Sequence, residues 1–493
     1  MGDIATGLFC VCATLGVLPL VRCPRGGAAE GVAAALDVKL REALTQRGHA
    51  FGGAESGAGR PVLCLFERTF DVASAVAHGW GYASLVADVL GLKLNRVAVG
   101  SGGAKKLHEL DGDSDPFWAA HSGAPFPKVA EEVEAALQRY KADVAAVNRA
   151  AEAEAAGGGG GAPVAPHPHH HPASAAASAT GGVEHASLLS AVSSLPELAE
   201  RKKTIDKHTG VATACLTAIK ARQLDAFVAA EEEALCGRPD AAAIAALLQP
   251  DAKGDPSDKL RLALVAALSA DAPPGAAEAA ATDAALAACG CGSDASALAY
   301  VRSLRAFNLA GGGAGSAAAA ASAAAAVGGG GSSGGTGASQ GALLDWADKL
   351  YGQGLTAVAK GVGRLLASGA RQPPVARAVD ALLDGRPGAT GAADISPDTW
   401  PLYDARSPRP GPSQPPGSGG GASAASARPS TSAIVFVIGG GCYAEARALA
   451  EAAAARGAAL PGGARTVLYG ATDMLSPCEL LAQLAELGRK AQA

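Results

Sequence analysis

Short apolar runs alternate with amphipathic segments at both ends of the chain. The apolar runs are four to seven residues long and rich in Val, Ile, Leu and Phe, which is typical of buried strands. The segments between them place apolar residues at the spacing of a helix. The predicted strands are 18–23, 61–67 (PVLCLFE), 432–438 (SAIVFVI) and 466–469, and the predicted helices are 28–44, 84–90, 443–455 and 477–487. This alternation favours a parallel sheet covered by helices on both faces.

The long middle of the chain, from about 115 to 405, has a helical pattern almost throughout. Apolar residues recur every third or fourth position across 129–147, and 188–233 is a long amphipathic stretch. Further helices are predicted at 258–268, 297–308, 343–366 and 374–383. The predicted fold class is therefore α/β plus an all-α insertion: a discontinuous parallel-sheet α/β domain interrupted by a large helical domain.

Three stretches lack large apolar side chains and are predicted to be loops or linkers, because they cannot bury enough surface to offset the entropy of ordering. They are 155–182, 310–340 and 406–430. The expected organisation is a first α/β part at 1–110, a helical insertion at 111–250 with a flexible 150–186 loop, a second helical part at 251–405 containing the low-complexity 310–340 stretch, a linker at 406–430 and a second α/β part at 431–493.

Net charge, the length of the apolar stretches and the cysteine pattern argue against several classes of protein. The 41 basic and 46 acidic residues give a net charge of −5, which argues against binding nucleic acid or an anionic membrane through bulk charge. The apolar stretch 7–21 is too short to cross a bilayer and is predicted to be a buried element. None of the ten cysteines forms a C-x-x-C pair, so we expect reduced thiols in a cytoplasmic protein.

One glycine-rich turn is a candidate for chemistry. Gly439–Gly441 directly follows a predicted strand, and with Ala444 it satisfies G-x-G-x-x-A, the pattern that places a phosphate at a helix N-terminus. A dinucleotide site also needs an acidic residue at the end of the next strand, and that strand ends at Tyr469–Gly470 instead. A tight strand–helix turn is the favoured interpretation, and a nucleotide-binding α/β enzyme is the alternative. No catalytic residue, metal site or cofactor is predicted elsewhere. The tract at 167–171, with four histidines, lies in a Pro/Ala/Gly context typical of solvated chain.

Several long segments resemble the Sec1/Munc18 (SM) family, and most closely its Sly1 branch. The resemblance runs in order through nearly the whole chain. It is carried by LGVLPLVRC at 15–23, VLCLFERTFDVASAVAHGWGYASLVADVLGLKLNRV from 62, FWAAHSGAPFPKVAEEV at 117–133, AVSSLPELAERKKTIDKHTGVATACLTAIKARQLD at 191–225, AIVFVIGGGCYAE at 433–445 and LYG at 468–470.

The resemblance implies a cytoplasmic, non-enzymatic regulator of SNARE assembly in ER-to-Golgi vesicle fusion, peripheral to membranes through its partners. It implies a helical domain inserted into a five-stranded α/β domain. It also implies a helical hairpin, here the helices around Pro125–Arg149 and Leu188–Glu233, that templates SNARE helices. In the Sly1 branch a loop between these helices acts as a lid, and 150–186 holds that position. The expected partners are syntaxin-type and R-SNARE helices and tethering factors, bound by a monomer.

Within the hairpin, an apolar tip followed by a charged helix suits docking of another amphipathic helix. The predicted SNARE-binding residues are Leu195, Pro196, Leu198, Arg201, Lys202, Lys203, Asp206 and His208. The alternative is a solvated helix face over the domain's own core. Pro125 and Pro127, which flank Phe126, are predicted to mark a helix start, with a hinge as the alternative.

Two departures from the family pattern accompany the resemblance. Family members begin with a further domain that carries the main syntaxin groove, and this sequence starts partway into the second domain, so either the sequence is truncated or the protein lacks this strong syntaxin contact. Glu67 stands where the family usually has Asp.

Overall fold

A computed structural model of the chain describes residues 1–46, 51, 60–100, 105–157, 180–270, 272–310, 372–384, 395, 399–407, 412, 430–459 and 465–492. These residues divide into two compact units. The first contains the described residues up to Leu94 and those from Thr217 onward, and the second contains those from Asn95 to Leu216.

A five-stranded sheet is the centre of the first unit. Its strands are β1 (Leu20–Arg22), β2 (Val62–Glu67), β5 (Leu402–Tyr403), β6 (Ser432–Ile438) and β7 (Thr466–Ala471), in the order β5-β1-β2-β6-β7. Four of them run parallel: Leu20 pairs with Val62, Val62 with Ala433, and Ala433 with Val467. The short β5 is antiparallel at one edge. Segments far apart in the chain therefore complete one sheet.

Helices cover both faces of this sheet because alternate strand residues point to opposite sides. Leu63 and Leu65 of β2 pack in one core with α1 (Gly2–Thr14) and α2 (Ala28–Gln46). Cys64 and Phe66 pack in another core with α13 (Pro374–Asp384) and α14 (Tyr443–Ala459). Every residue from Val62 to Phe66 is buried, which explains the unbroken apolar run in the sequence.

A third apolar core in the first unit is built mainly from helices. It joins α3 (Val72–Val76) and the C-terminal helix α15 (Pro477–Gln492) to α8 (Leu224–Leu235), α10 (Pro256–Ser269) and α12 (Ser296–Ala310). The other described helices of the unit are α4 (Tyr82–Leu90), α9 (Ala241–Leu247) and α11 (Ala276–Ala288).

The described part of the second unit consists of a β-ribbon followed by three helices. The ribbon pairs β3 (Arg96–Val99) with β4 (Lys106–Glu109) in antiparallel fashion. The helices are α5 (Pro116–His121), α6 (Phe126–Gly157) and α7 (Thr180–Arg222), and the boundary between the units falls near the C-terminal end of α7.

The predicted fold class is confirmed: strand segments from the two ends of the chain form one largely parallel sheet, and a helical region separates them in sequence. The apolar stretch 7–21 is not one element. It contributes the second half of α1, where Leu8 and Cys12 are buried, and then leads into β1. The predicted helix at 343–366 lies outside the described residues.

Candidate binding site

The second unit presents a long helical hairpin made of α6 and α7. An ion pair joins the two helices: Arg201 Nη1 of α7 lies 3.0 Å from Asp143 Oδ2 of α6. Both helices extend beyond their predicted ends, α6 to Gly157 and α7 back to Thr180. The ends of the expected 150–186 loop are therefore helical, and residues 158–179 lie outside the described residues.

The base of the hairpin is held by a buried aspartate. Asp115 caps α5 by accepting the amide hydrogen of Trp118 at 3.0 Å. Its other carboxylate oxygen lies 2.9 Å from His208 Nε2 and also pairs with Lys207, both on α7. Burial alone would raise the pKa of Asp115, but the hydrogen bonds from His208 and Lys207 hold it well below its usual value. This single carboxylate fixes α5 to α7.

Aromatic rings surround the buried imidazole at this base. The His208 ring lies 4.4 Å from the Phe117 ring and 6.5 Å from the Trp118 ring, centroid to centroid, and it is nearly parallel to the latter. Lys207 Nζ donates to the backbone oxygen of Glu109 at 3.1 Å, which connects α7 to β4. The base is therefore a packed polar and aromatic cluster.

The segment 125–127 begins α6, as the sequence predicts. Pro125 supplies the carbonyl that accepts the Val129 amide hydrogen at 3.2 Å, so it precedes the first helical turn. Phe126 and Pro127 are the first two helical residues, where proline is tolerated because the amide is unbonded anyway. Both side chains are buried. The hinge alternative stays a prediction.

Farther from the base, the hairpin exposes charge. Arg201, Lys202, Lys203 and Asp206 are all exposed on α7. Each makes a local pair: Arg201 with Glu197 at 2.8 Å, Lys202 with Asp206 at 2.6 Å and Lys203 with Glu200 at 3.4 Å. The hydrogen bond and charge of Asp206 raise the pKa of Lys202. Each of these pairs joins side chains one turn apart on α7, and the paired side chains remain exposed to solvent.

The remaining predicted residues have different positions. Pro196 is exposed inside the continuous α7, where its missing amide hydrogen removes one helical hydrogen bond. Leu198 is buried, with 8% of its surface exposed. His208 is also buried and belongs to the base rather than to the exposed surface. Leu195 lies on the same helix. The structure thus exposes Arg201, Lys202, Lys203 and Asp206 along one short stretch of α7, and it places His208 in the buried base instead.

Sequence reasoning missed the partners of His208. Asp115, which also caps α5, lies 93 residues before His208 in the chain, so spacing alone gives no signal for this contact. An isolated buried histidine on the apolar face of α7 was the available clue, since such a side chain needs a hydrogen-bond partner.

The glycine turn at 439–441 directs its amides into the protein. The amide hydrogens of Gly439 and Gly440 both bond to Thr472 Oγ1 at 3.1 Å, and that of Gly441 bonds to the Asp473 carbonyl at 2.8 Å. The next amide, of Cys442, donates to the Tyr469 hydroxyl at 3.1 Å. Four successive donors are therefore used internally, so the turn offers no free set of amides to a phosphate.

Close packing explains the glycines without a ligand. Gly440 has a φ of +100°, and a Cβ atom there would lie 2.2 Å from Leu475 Cδ1. A Cβ atom on Gly441 would lie 2.4 Å from the Tyr469 hydroxyl. The nucleotide-binding alternative is not supported, and the tight strand–helix turn accounts for the motif.

The described residues contain neither a cluster of metal ligands nor a helix that could span a membrane. Within them, no group of three or more His, Cys, Asp or Glu side chains is placed to hold a metal ion. The histidine tract at 167–171 lies outside this part of the chain. No described helix is long and apolar enough to cross a membrane.

The fold and the hairpin together define a class: an interrupted α/β domain carrying an inserted helical region with an exposed charged hairpin. A sequence profile of the Sec1 family matches residues 1–483. The SEC1 family transport protein SLY1 of Arabidopsis thaliana is 39% identical over 492 residues, which cover 99% of this chain and 69% of the relative. Human Sec1 family domain-containing protein 1 is 34% identical over 511 residues, which cover 99% and 71%. The chain belongs to the Sec1 family.

Solved structures have the same fold. Sly1p, crystallised with an N-terminal peptide of Sed5p, superposes with a TM-score of 0.69 at 24% identity and covers 100% of this chain and 68% of that one. The SM protein Vps45 in complex with the Qa SNARE Tlg2 (1–310) gives 0.61 at 17% identity, covering 98% and 68%. At these identities the likeness shows the fold.

Proposed function

We propose that this chain is an SM-type SNARE-binding protein that promotes SNARE assembly during vesicle docking and fusion, in ER-to-Golgi transport. Membership of the Sec1 family supports the proposal, together with relatives named as SLY1 transport proteins. The solved relatives Sly1p and Vps45 hold a Sed5p peptide and the Qa SNARE Tlg2, which makes syntaxin-type SNAREs the first partners to test.

The observation that carries the proposal is the exposed charged surface of α7, which we define as Arg201, Lys202, Lys203 and Asp206. Its ion pairs are solvent-exposed, and such pairs contribute about 0–1 kcal/mol each. A partner helix with complementary charges can therefore replace them at little cost. The buried base at Asp115 and His208 holds α7 in place while the surface exchanges partners.

Charge reversal of the two lysines tests the surface. We expect K202E/K203E to weaken binding of an ER–Golgi syntaxin-type SNARE helix about tenfold, since two attractive contacts become repulsive. Titration calorimetry with the full chain measures the affinity. The thermal unfolding midpoint should stay unchanged because both side chains are exposed.

The matched control is K490E, which reverses an exposed lysine of α15 in the first unit and should leave SNARE affinity unchanged. If K202E/K203E binds as tightly as the parent chain, the exposed charged surface of α7 is not the SNARE site. The same calorimeter tests nucleotides: saturable nucleotide binding without SNARE binding would favour an enzyme instead.

The proposed SNARE-binding set on α7 also includes Leu195, Pro196, Leu198 and His208, of which Pro196 is exposed while Leu198 and His208 are buried beneath the helix surface. The domain boundaries follow the sequence-based organisation given above. The protein works in the cytoplasm, peripherally at ER and Golgi membranes, as a monomer that also meets R-SNAREs and tethering factors.

A further inference from the structure

The β-ribbon of the second unit has an outward face whose residues are exposed. Val97 on its inner face is 1% exposed, whereas Leu107, on the outer face, is 63% exposed. Leu107 lies opposite Ala98, which is also exposed. An exposed leucine across from an exposed alanine gives this face a small apolar centre.

The outer edge of β4 carries open main-chain groups. The Leu110 amide hydrogen bonds to the Asn95 carbonyl at 2.7 Å, so the antiparallel register makes Val97–His108 and Val99–Lys106 the hydrogen-bonded pairs. The amide and carbonyl of Leu107 therefore point away from β3. At the far end of the strand, the Glu109 carbonyl is already used by Lys207. The open edge is thus short and centred on Leu107.

Positive charge lies beside this open edge. Lys105 and Lys106 are exposed, and neither makes an ion pair within the described chain. The neighbouring His108 has a lowered pKa, chiefly from partial burial and further from the positive charges of Lys106 and Lys207. One acidic side chain, Glu109, lies at the opposite end of β4, where its Oε1 is 3.9 Å from Arg96 Nη2. The net positive end of the edge is therefore the Lys105–Lys106 end.

We propose that the β4 edge binds an extended acidic segment of a partner protein as a third strand. The main chain of the segment would pair with the outward amide and carbonyl of Leu107. An apolar side chain would contact Leu107 and Ala98, and an acidic side chain two positions away would meet Lys105. A two-stranded ribbon is marginal on its own, so an added strand stabilises it. This site is separate from the exposed charged surface of α7.

The alternative role for Lys105 and Lys106 is to prevent another strand from pairing with the β4 edge, because charged residues commonly protect sheet edges in this way. The two roles predict opposite results with a peptide. A protected edge binds no strand of either charge, whereas a docking edge binds the acidic one.

Fluorescence anisotropy of the full chain with labelled acetyl-(Glu-Val)4-amide tests the proposal, with acetyl-(Lys-Val)4-amide as the comparison. We expect saturable binding of the acidic peptide that weakens at high salt, and no binding of the basic one. K105E/K106E should lower the affinity at least tenfold, and the matched charge reversal K490E should not change it.

Two substitutions at one position separate the main chain from the side chain. L107A removes the apolar contact and keeps the outward amide, so it should weaken binding only a few-fold. L107P also removes the amide hydrogen that the added strand needs, and it breaks no bond between β3 and β4, so it should abolish binding. Unchanged circular dichroism and thermal midpoint would show that both variants fold.

The proposal is overturned if neither peptide binds, if both bind equally, or if K105E/K106E has no effect. It is also overturned if vesicles with 30% phosphatidylserine bind at these lysines while the acidic peptide does not. SNARE binding is measured separately, so failure here leaves the proposed function standing.

Discussion

Charged side chains have contrasting environments in the two units. In the first unit, a cluster around His78 is completely buried: Glu231, Asp258 and Arg261 each have 1% or less of their surface exposed. In the second unit, the charges of the α7 surface are largely exposed to solvent. The same residue types therefore serve different purposes. Buried charges specify one arrangement of helices, and exposed charges stay available to a partner.

The buried cluster connects three segments that are distant in sequence. His78 Nδ1 lies 2.8 Å from Glu231 Oε1 of α8, and His78 Nε2 lies 3.1 Å from Asp258 Oδ1 of α10. Arg261 donates to the Val76 carbonyl at 2.6 Å and to Asp88 Oδ1 at 2.9 Å. Because each group has an opposite charge beside it, the cluster is stable as a set but sensitive to the loss of any member.

Asp258 gives the largest expected effect. Beyond contacting His78, its carboxylate accepts hydrogen bonds from Arg222 and from the Asp255 backbone amide at the start of α10. D258A should lower the free energy of unfolding by about 3–5 kcal/mol, because it removes the buried carboxylate that His78 and Arg222 share and breaks the charge balance of the cluster. Urea denaturation followed by circular dichroism measures this. A loss below about 1 kcal/mol would mean that the cluster relaxes or hydrates, and the contrast between the units would fail.

Asp115 should show that the second unit also has a buried polar centre. D115A removes the N-cap of α5, which costs about 1 kcal/mol, and leaves His208 without its carboxylate, which adds about 1–3 kcal/mol. We expect a total loss of about 2–4 kcal/mol, again by urea denaturation. D113A, at an exposed position in the same acidic turn, is the matched control and should change stability by less than 0.5 kcal/mol.

The contribution of the buried His78 to stability is expected to depend on pH. Burial and Arg261 would lower its pKa, but the carboxylates of Glu231 and Asp258 outweigh them and raise it. A raised pKa in the folded state stabilises the protein fully below the unfolded value of about 6.5, and this contribution is lost as the pH rises through the folded value.

The measurement is the thermal midpoint of the parent chain and of H78Q as a function of pH. The difference between them should be greatest at or below pH 6.5 and should shrink as the pH increases. A difference that stays constant from pH 6 to 9 would show that His78 does not change its charge in the folded protein over that range.

The two central strands of the sheet were predictable because they are unbroken apolar runs, whereas the two-residue edge strand β5 was not predicted. PVLCLFE and SAIVFVI became β2 and β6, since burial on both faces demands apolar residues at every position. The strands β3 and β4 were not predicted, because a ribbon with one exposed face has a weak and mixed pattern. Glu67, Asp71 and His78 are close together in the sequence.

The structure separates those three residues. Glu67 accepts the Ala29 amide hydrogen at 2.9 Å, at the start of α2, and Asp71 caps α3 through the Ser74 amide at 3.0 Å. His78 instead meets residues 153 and 180 positions later in the chain. Contacts at such separations follow from the packing of whole helices, so no local spacing could reveal them. The exposed lysines of α7 were predictable because their pairs lie within one helical turn.

The smallest expected effect is at the Lys202–Asp206 pair, which is the exposed counterpart of Asp258. The two side chains are more than half exposed and lie one helical turn apart. D206A should therefore change the free energy of unfolding by no more than about 0.5 kcal/mol, since exposed pairs of this spacing contribute 0.3–0.5 kcal/mol. Urea denaturation of D206A and D258A, measured side by side, compares the same change of residue in the two environments. If D206A cost as much as D258A, the α7 surface would be a structural element, and its charges would not be free to exchange with those of a partner helix.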